Sequence, residues 1–440
     1  MQINIPSDVK RIIDRIEDAG YEAYAVGGCI RDALLKKEPH DWDITTSADP
    51  MTVKRLFSKT FDTGIQHGTV TVLLGGENYE VTTYRVDGDY ADGRHPESVT
   101  FTRNLADDLK RRDFTINAMA YNPEKGLVDL FGGQDDLKKG IIRCVGDPVE
   151  RFTEDALRMM RAVRFSAQLG FDIEPATAAA IKKLSGRLAL VSQERITEEL
   201  LRLITSPDPE KLRIAYDLGL TAIFFPEFDE MMKCSQNTVF HSYTVGEHTL
   251  KVMENVSPER YIRLAALLHD LGKIYTKTVK NGTDHFYGHA AVSAEKADAM
   301  LKRWKMDNET IRRVRILAKY HDARFEITEE NVRKLIGKVG RDLMPALLQL
   351  MDADLNGKSD HARYVTGEAL SRLHSVYEEV IERGDAVCIS ELDITGDDLI
   401  AAGIPKGKQI GECLESLLAI VLKDPALNKK EILLKKTGCK

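Results

Sequence analysis

No run of 18 apolar residues occurs in the 440-residue chain, so nothing in it reads as a membrane-spanning helix. No CxxC pair occurs either. The six cysteines (Cys29, Cys144, Cys234, Cys388, Cys413 and Cys439) are scattered, which excludes a zinc ribbon or a disulfide framework and suits a reducing compartment. Positive charge is not in excess. Lys and Arg number 62 against 69 Asp and Glu, for a net charge of −7. A general nucleic-acid binder draws its affinity from neutralised phosphates, so any RNA surface here has to be a local basic patch. No internal repeat or low-complexity tract is present. No signal-like segment opens the chain, and residues 1–15 read as an ordinary helix, so a cytoplasmic location and no membrane partner are expected. The length suits two to four domains.

The residues that are present are unevenly placed. Residues 24–43 read Tyr-Ala-Val-Gly-Gly-Cys-Ile-Arg-Asp-Ala-Leu-Leu-Lys-Lys-Glu-Pro-His-Asp-Trp-Asp. Residues 24–26 suit a short strand, Gly27 and Gly28 a turn where backbone can approach a ligand, and 29–35 a helix. N–H groups at the start of that helix outline a phosphate cradle with Arg31 beside it. A second strand is expected from about Asp41, carrying Asp41 and Asp43 on one face. Two adjacent carboxylates repel, and Mg²⁺ is commonly held by one or two carboxylates plus substrate phosphates. Taken singly, each feature is far more often a plain strand–turn–helix with a solvated acid pair.

The order Gly-Gly-x-x-Arg-Asp followed by Asp-x-Asp resembles the first motif of the DNA polymerase beta nucleotidyltransferase superfamily. Within it, the stretch is most similar to the bacterial tRNA nucleotidyltransferases (CCA-adding enzymes) and poly(A) polymerases. The resemblance implies Asp41 and Asp43 as catalytic metal ligands for Mg²⁺, and Gly27, Gly28 and Arg31 as phosphate contacts.

Residues 69–74 and 79–85 are β-rich runs around Gly75-Gly76-Glu77-Asn78, a hairpin signal. Glu80 on the second run could approach the Asp pair as a third acidic group, but it is read as a solvated strand residue and left out of the site. Residues 87–98 read as a long loop beside the site, and the full loop at 84–100 resembles that of complete CCA-adding enzymes. Residues 110–118 place three cations before Asp113 and Asn117. This is a basic helix face with a local ion pair, or a set of groups for a nucleotide's phosphates and ribose. Its Arg-Arg-Asp-Phe-Thr-x-Asn-Ala sequence resembles the family's ribose motif, which assigns Arg112, Asp113 and Asn117 to nucleotide binding. Asp129-Leu130-Phe131-Gly132-Gly133 resembles the family's hinge.

Beyond about residue 143 the pattern is helical. Thr153 is read as an N-cap, with Glu154 and Asp155 in the first turn and Arg158, Arg161 and Arg164 continuing the stripe. A salt-bridged solvated face explains this stripe. A carboxylate and a guanidinium side by side also match a base edge. Glu154-Asp155-x-x-Arg158 is similar to the family motif whose Asp and Arg select CTP and then ATP. The resemblance assigns Asp155, Arg158, Arg161 and Arg164 to the nucleotide, and Ser192-Gln193-Glu194-Arg195-Ile196 to support of that helix.

Six of eleven histidines fall between 241 and 321. His248 sits on a helical run at 244–256. Residues 263–273 form an apolar helix ending in His269-Asp270 and a Gly272 stop. The arrangement resembles an HD-type phosphohydrolase domain. It implies a metal on His248, His269, Asp270 and a later Asp read as Asp354, with Asp352 the alternative and His289 and His321 as further ligands. Imidazole and carboxylate together do not name the ion, which is left as Mg²⁺, Mn²⁺, Ni²⁺ or Co²⁺. In the tail, Thr395 with Asp398 is close to a capping box, and the glycines before Lys408 and the final lysines are candidate tRNA contacts.

The expected fold is α+β. A nucleotidyltransferase head with a mixed sheet (1–141) precedes an all-α neck (142–235), an HD domain (236–364) and a helical tail (365–440). The expected activity is template-independent addition of C, C and A to tRNA from CTP and ATP, with tRNA as partner. A poly(A) polymerase or A-adding enzyme, and an HD phosphohydrolase with an RNA-binding head, are the alternatives.

Overall fold

The computed structural model describes residues 3–88 and 99–437, so most of the expected 87–98 loop lies outside the described residues. The chain divides into two compact units, 1–226 and 227–440.

The head of the first unit carries, among the described residues, the short strands β1 (Ala23–Val26), β2 (Ile44–Thr46), β3 (Thr60–Gly64), β4 (Thr69–Leu74), β5 (Glu77–Thr83), β6 (Arg85–Asp87), β7 (Val99–Phe101), β8 (Met119–Asn122) and β9 (Gly126–Asp129). Seven form one sheet in the order β3-β4-β5-β2-β1-β8-β9, while β6 and β7 pair separately. Only β2 and β5 run parallel within that sheet, so it is mixed, as expected. β1 is buried along its whole length, which explains why it reads as continuously apolar rather than alternating. The helix Ser7–Asp18 buries Val9, Ile12, Ile13 and Ile16, a spacing that presents one apolar stripe. The β4–β5 hairpin turns at Gly75 and Gly76, both at positive φ.

Helices Pro148–Glu154, Leu157–Leu169, Pro175–Leu184 and Gln193–Ile204 follow the head. This part is not wholly α, since Ile141–Ile142 pairs with Asp172–Ile173. The second unit is mostly helical, with one hairpin between Thr278–Lys280 and Thr283–His285. Its tail packs Ala386, Leu392, Ile394, Leu399, Leu417, Val421 and Leu433 into a core of their own. Thr395 and Asp398 form a complete capping box. No helix among the described residues is long and apolar enough to cross a membrane.

Three local expectations are corrected. The second strand begins at Ile44, not Asp41. Asp43 still takes part in pairing through its backbone oxygen, which accepts from Val26 N at 2.9 Å. Thr153 does not cap the next helix. It lies inside the helix Pro148–Glu154, which Asp147 caps through Val149 N at 2.8 Å, with Pro148 at the first position. The helix then breaks at Asp155, whose backbone is extended at φ −137° and whose Oδ1 accepts from Leu157 N at 3.0 Å. Gly272 is not a left-handed stop, since its φ is −64°. A side chain there is barred by packing, because a Cβ would stand 2.2 Å from His289 O.

Candidate functional site

The head's candidate residues come from separate elements, and the sheet brings them together. Gly27 leaves β1 at φ +85°, where only glycine is unstrained, and a Cβ on it would lie 3.0 Å from Arg112 Nη1. The turn is thus bare backbone with a guanidinium over it. Arg112 is steadied by Asp108, fully buried, at 3.4 Å. The same carboxylate binds Arg111 Nη2 at 2.7 Å and accepts from Thr45 Oγ1 on β2 at 3.0 Å.

Asp41 and Asp43 lie exposed on the segment entering β2. Loss of solvent around the Asp43 carboxyl raises its pKa above the ordinary range. Arg112 opposes the rise, while Glu80 and Asp41 add to it. Glu80, exposed on β5 as a solvated strand residue is, adds its charge to that of the acid pair. β2 and β5 run side by side with Ile44 opposite Val81, which sets Asp43 and Glu80 at neighbouring positions. Strand alternation gave no sign of that pairing. Hard oxygen donors left open to solvent suit a hard cation that keeps water and phosphate ligands, so these residues fit Mg²⁺.

Five further candidates form one chain of contacts. Arg31 Nη1 donates to Asn117 Oδ1 at 2.7 Å, and Asn117 Nδ2 donates to Asp113 Oδ1 at 3.1 Å. Arg161 Nε donates to Asp113 Oδ2 at 2.8 Å. Arg161 also lies 3.6 Å from Glu199, which accepts from Arg164 Nε at 2.5 Å. The guanidinium groups of Arg31, Arg161 and Arg164 all lie over the Phe165 ring, at 5.1, 5.3 and 3.9 Å. Burial would raise the Asp113 carboxyl. Arg161 and the Asn117 hydrogen bond outweigh burial and hold it at about 2. Asp113 and Asn117 meet across the 3₁₀ turn Thr115–Asn117 rather than along an α-helix.

Asp155 and Arg158 are adjacent, with Arg158 N bonded to Asp155 O at 3.1 Å, but their side chains have different partners. Arg195 Nη2 holds the Asp155 carboxylate at 2.8 Å. Arg158 bonds Glu154 at 2.5 Å and the carbonyls of Arg151 and Arg111 at 3.1 and 3.0 Å. Each side chain is therefore fixed from behind.

The second unit gathers His248, His269, Asp270 and Asp354 so that one ligand atom from each lies within 4.8 Å of the others. Asp270, His289 and His321 form a second such group. All six are buried. Asp352, the alternative late acid, points instead to His374 at 3.0 Å. Asp270 serves both groups. Its Oδ2 is 3.6 and 3.3 Å from His248 and His269 Nε2, and its Oδ1 is 3.4 and 3.5 Å from His289 and His321 Nε2.

In each histidine Nδ1 faces a backbone carbonyl: Gly357 at 3.1 Å, Ala266 at 2.7 Å, Phe286 at 2.9 Å and Ala318 at 2.8 Å, for His248, His269, His289 and His321. A carbonyl can only accept, so each Nδ1 carries a proton and each Nε2 points into the cluster, where that of His248 is hydrogen-bonded with Asp354 Oδ1 at 2.9 Å. His289 and His321 face each other through their Nε2 atoms at 3.3 Å. His269 Nε2 and both Asp270 oxygens have no hydrogen-bond partner. Lys273 lies 2.7 Å from Asp270 Oδ2, a charge contact without hydrogen-bond alignment. Buried acceptors without donors, arranged around shared points, fit divalent cations.

The sequence reading also passed over His241. Its ring packs edge-on against His248 at 5.4 Å, and its Nδ1 is buried without a partner.

The family described as "Poly A polymerase head domain" matches residues 23–143. "Probable RNA and SrmB- binding site of polymerase A" matches 170–232, and "tRNA nucleotidyltransferase domain 2 putative" matches 285–437. The CCA-adding enzyme of Lactobacillus gasseri is 36% identical over 95% of this chain and 94% of its own. That of Levilactobacillus brevis is 38% identical over 96% and 95%. The match to the Lactobacillus helveticus enzyme, 58% identical over 196 residues, spans about half of that relative, 49%. Among solved structures, the Bacillus stearothermophilus CCA-adding enzyme in complex with CTP superposes with a TM-score of 0.72 at 31% identity, covering 98% of this chain and 95% of that one. The Thermotoga maritima enzyme complexed with tRNA shares the fold, with a TM-score of 0.62 at 23% identity over 99% of each chain. Similarity of this extent, along nearly the whole of both partners, means that the chain belongs to the CCA-adding enzyme family of tRNA nucleotidyltransferases.

Proposed function

We infer that the protein adds C, C and A to the 3′ end of tRNA, taking CTP and ATP and releasing pyrophosphate, in the cytoplasm. The observation that carries this reading is the run of contacts from Arg31 through Asn117, Asp113 and Arg161 to Arg164, which ties the glycine turn to the helix after Asp155. Phosphate, ribose and base subsites are then set by one connected framework.

Asp41 and Asp43 would hold Mg²⁺, with Glu80 adding to the local negative charge. The metal, when bound, supplies charge stabilisation at the triphosphate and lowers the pKa of the attacking hydroxyl. Gly27 and Gly28 admit the phosphates to bare backbone, and Arg31 and Arg112 neutralise them. Asp113, ionised and held by Arg161, orients the ribose side of the pocket. Asp155, braced by Arg195, and Arg158, braced by Glu154, present acceptor and donors to the base, so the protein stands in for a nucleic-acid template. The four-part division at 141, 235 and 364 belongs to this reading, with the tail as the tRNA-binding part. The test is to incubate tRNA lacking one, two or three 3′ nucleotides with each NTP and sequence the ends. Addition of A alone, or of A without limit, would overturn it.

A second activity is favoured by the inward-pointing Nε2 atoms and the partnerless oxygens of Asp270. His248, His269, Asp270 and Asp354, with His289 and His321, would hold one or two divalent ions of the Mg²⁺, Mn²⁺, Ni²⁺ or Co²⁺ group for hydrolysis of phosphate esters. Nucleotide 2′,3′-cyclic phosphates are the substrate to test, since such ends would block nucleotide addition. No hydrolysis with any of these ions would remove this second reading.

A further inference from the structure

Phe165 is a buried ring among cations, on the helix Leu157–Leu169. Arg161 stands four residues before it and so shares its helix face. Arg31 comes from the short helix Gly28–Leu34 after the glycine turn. The Arg164 guanidinium lies 3.9 Å from the ring centroid, a stacking distance, with Arg31 and Arg161 at 5.1 and 5.3 Å. Phe114, next to Asp113 in sequence, meets the ring at 83° with centroids 5.8 Å apart. That edge contact fixes the plane of the ring.

Three guanidinium groups in so small a space repel one another. The crowding shows at Arg164, where burial lowers the pKa to about 10, Glu199 opposes the fall and Arg161 adds to it. Carboxylates offset the repulsion through hydrogen-bonding edges: Asp32 for Arg31, Asp113 for Arg161 and Glu199 for Arg164. The flat face of a guanidinium makes no hydrogen bond and is weakly hydrated, so the negative face of an aromatic ring covers it well. Ring contact and hydrogen bonding therefore do not compete. Arg31 shows the consequence. Its Nε and Nη2 donate to Asp32 and its Nη1 to Asn117. A guanidinium carries more N–H groups than these, so an anion can bind while the ring and the existing bonds keep Arg31 in place. An aliphatic side chain of similar bulk would fill the same volume and attract none of the three cations.

We propose that Phe165 is a positioning residue for nucleotide addition: its ring aims Arg31 at the triphosphate and keeps it in register with Arg161. This rests on the reading of the head as a nucleotide site and goes beyond it by naming the side chain that ties two of its subsites.

The test replaces Phe165 in the full chain by phenylalanines carrying one, two or three fluorines. Each fluorine drains negative charge from the ring face and leaves its volume almost unchanged, so the fold is kept where Phe165→Leu could lose it. CTP and ATP addition to shortened tRNA and CTP binding by calorimetry are measured along the series. KM for both nucleotides should rise stepwise, to about fivefold at three fluorines, with kcat within about twofold. In an Arg31→Gln background the same series should change CTP binding by less than about twofold, because the cation that carries the effect to the phosphates is gone. An unchanged KM along the series, in a parent that adds CCA, overturns the proposal and leaves the CCA reading intact. An equal effect with and without Arg31 also overturns it, since the ring then only packs. CTP binding that weakens along the series only when Arg31 is present, in a parent that adds no CCA, keeps the positioning role and removes the CCA reading. A parent that binds no CTP removes both.

Discussion

The two candidate metal sites differ in burial, and burial decides what each can do. Asp41 and Asp43 are exposed carboxylates on a segment entering a strand. The second centre is made of buried histidines and aspartates whose tautomers are set by backbone carbonyls. An open pair of oxygens binds a hard cation weakly and completes its shell with substrate phosphate. A closed set of inward-pointing ligand atoms holds a cation on its own and leaves chemistry to whatever anion can enter. In the proposed reading the nucleotide completes the first site, while folding alone gathers the ligand atoms of the second.

That contrast can be broken most sharply at Asp43. Asp43→Ala should lower CTP incorporation into tRNA lacking CCA by about 10³ or more, with tRNA affinity unchanged in a gel-shift assay. Extension at a tenth of the parent rate would show that the acid pair is not the metal site.

Metal retention tests the other side. After loading with Mn²⁺ and desalting, the parent and Asp43→Ala should keep metal by mass spectrometry. His269→Ala with Asp270→Ala should lose it, by about a hundredfold in affinity, while still adding CCA. Equal retention in all three would erase the distinction drawn here.

Asp113→Asn asks how much of the first site is held by folding. It breaks a buried ion pair, so urea unfolding of the first unit should show a loss of about 3–5 kcal/mol. The sign with pH follows from the carboxyl being held at about 2 in the folded protein. Its contribution is present above about pH 4, the ordinary unfolded value, and is lost as pH falls through 2. The variant should lack that part of the acid-unfolding slope.

Asp155→Ala or Arg158→Ala should loosen selection against UTP and GTP by about ten- to a hundredfold, with a smaller fall in total incorporation. Unchanged selectivity in both would leave them as a structural pair. The smallest effect is expected at Gly357. A Cβ there would stand 3.0 Å from His248 Nδ1. Gly357→Ala should weaken Mn²⁺ at the second centre by about tenfold and leave CCA addition alone.

Some of this was legible from residue order. Asp-x-Asp after a glycine turn, the Asp113–Asn117 spacing and the His269-Asp270 helix end are local patterns, and local chain geometry carries them into the structure. The choice of Asp354 over Asp352 agrees with the cluster, because residues two apart on a helix point to different sides.

Other features are decided only by tertiary structure. Glu80 adds its charge to the acid pair because β5 runs parallel beside β2, a pairing between segments that no local period reveals. Arg161 reaches Asp113 across 48 residues, and Glu199 binds Arg164 across 35. The protonated nitrogen of each ligand histidine follows from which carbonyl the fold sets beside it. His241 looked like one histidine among six until packing left its Nδ1 buried and unpartnered. Composition and spacing determined which chemistries the chain can host, because they act through neighbours in sequence. Burial, charge pairing and ligand-atom direction came only with the fold, because they depend on groups brought together from distant parts of the chain.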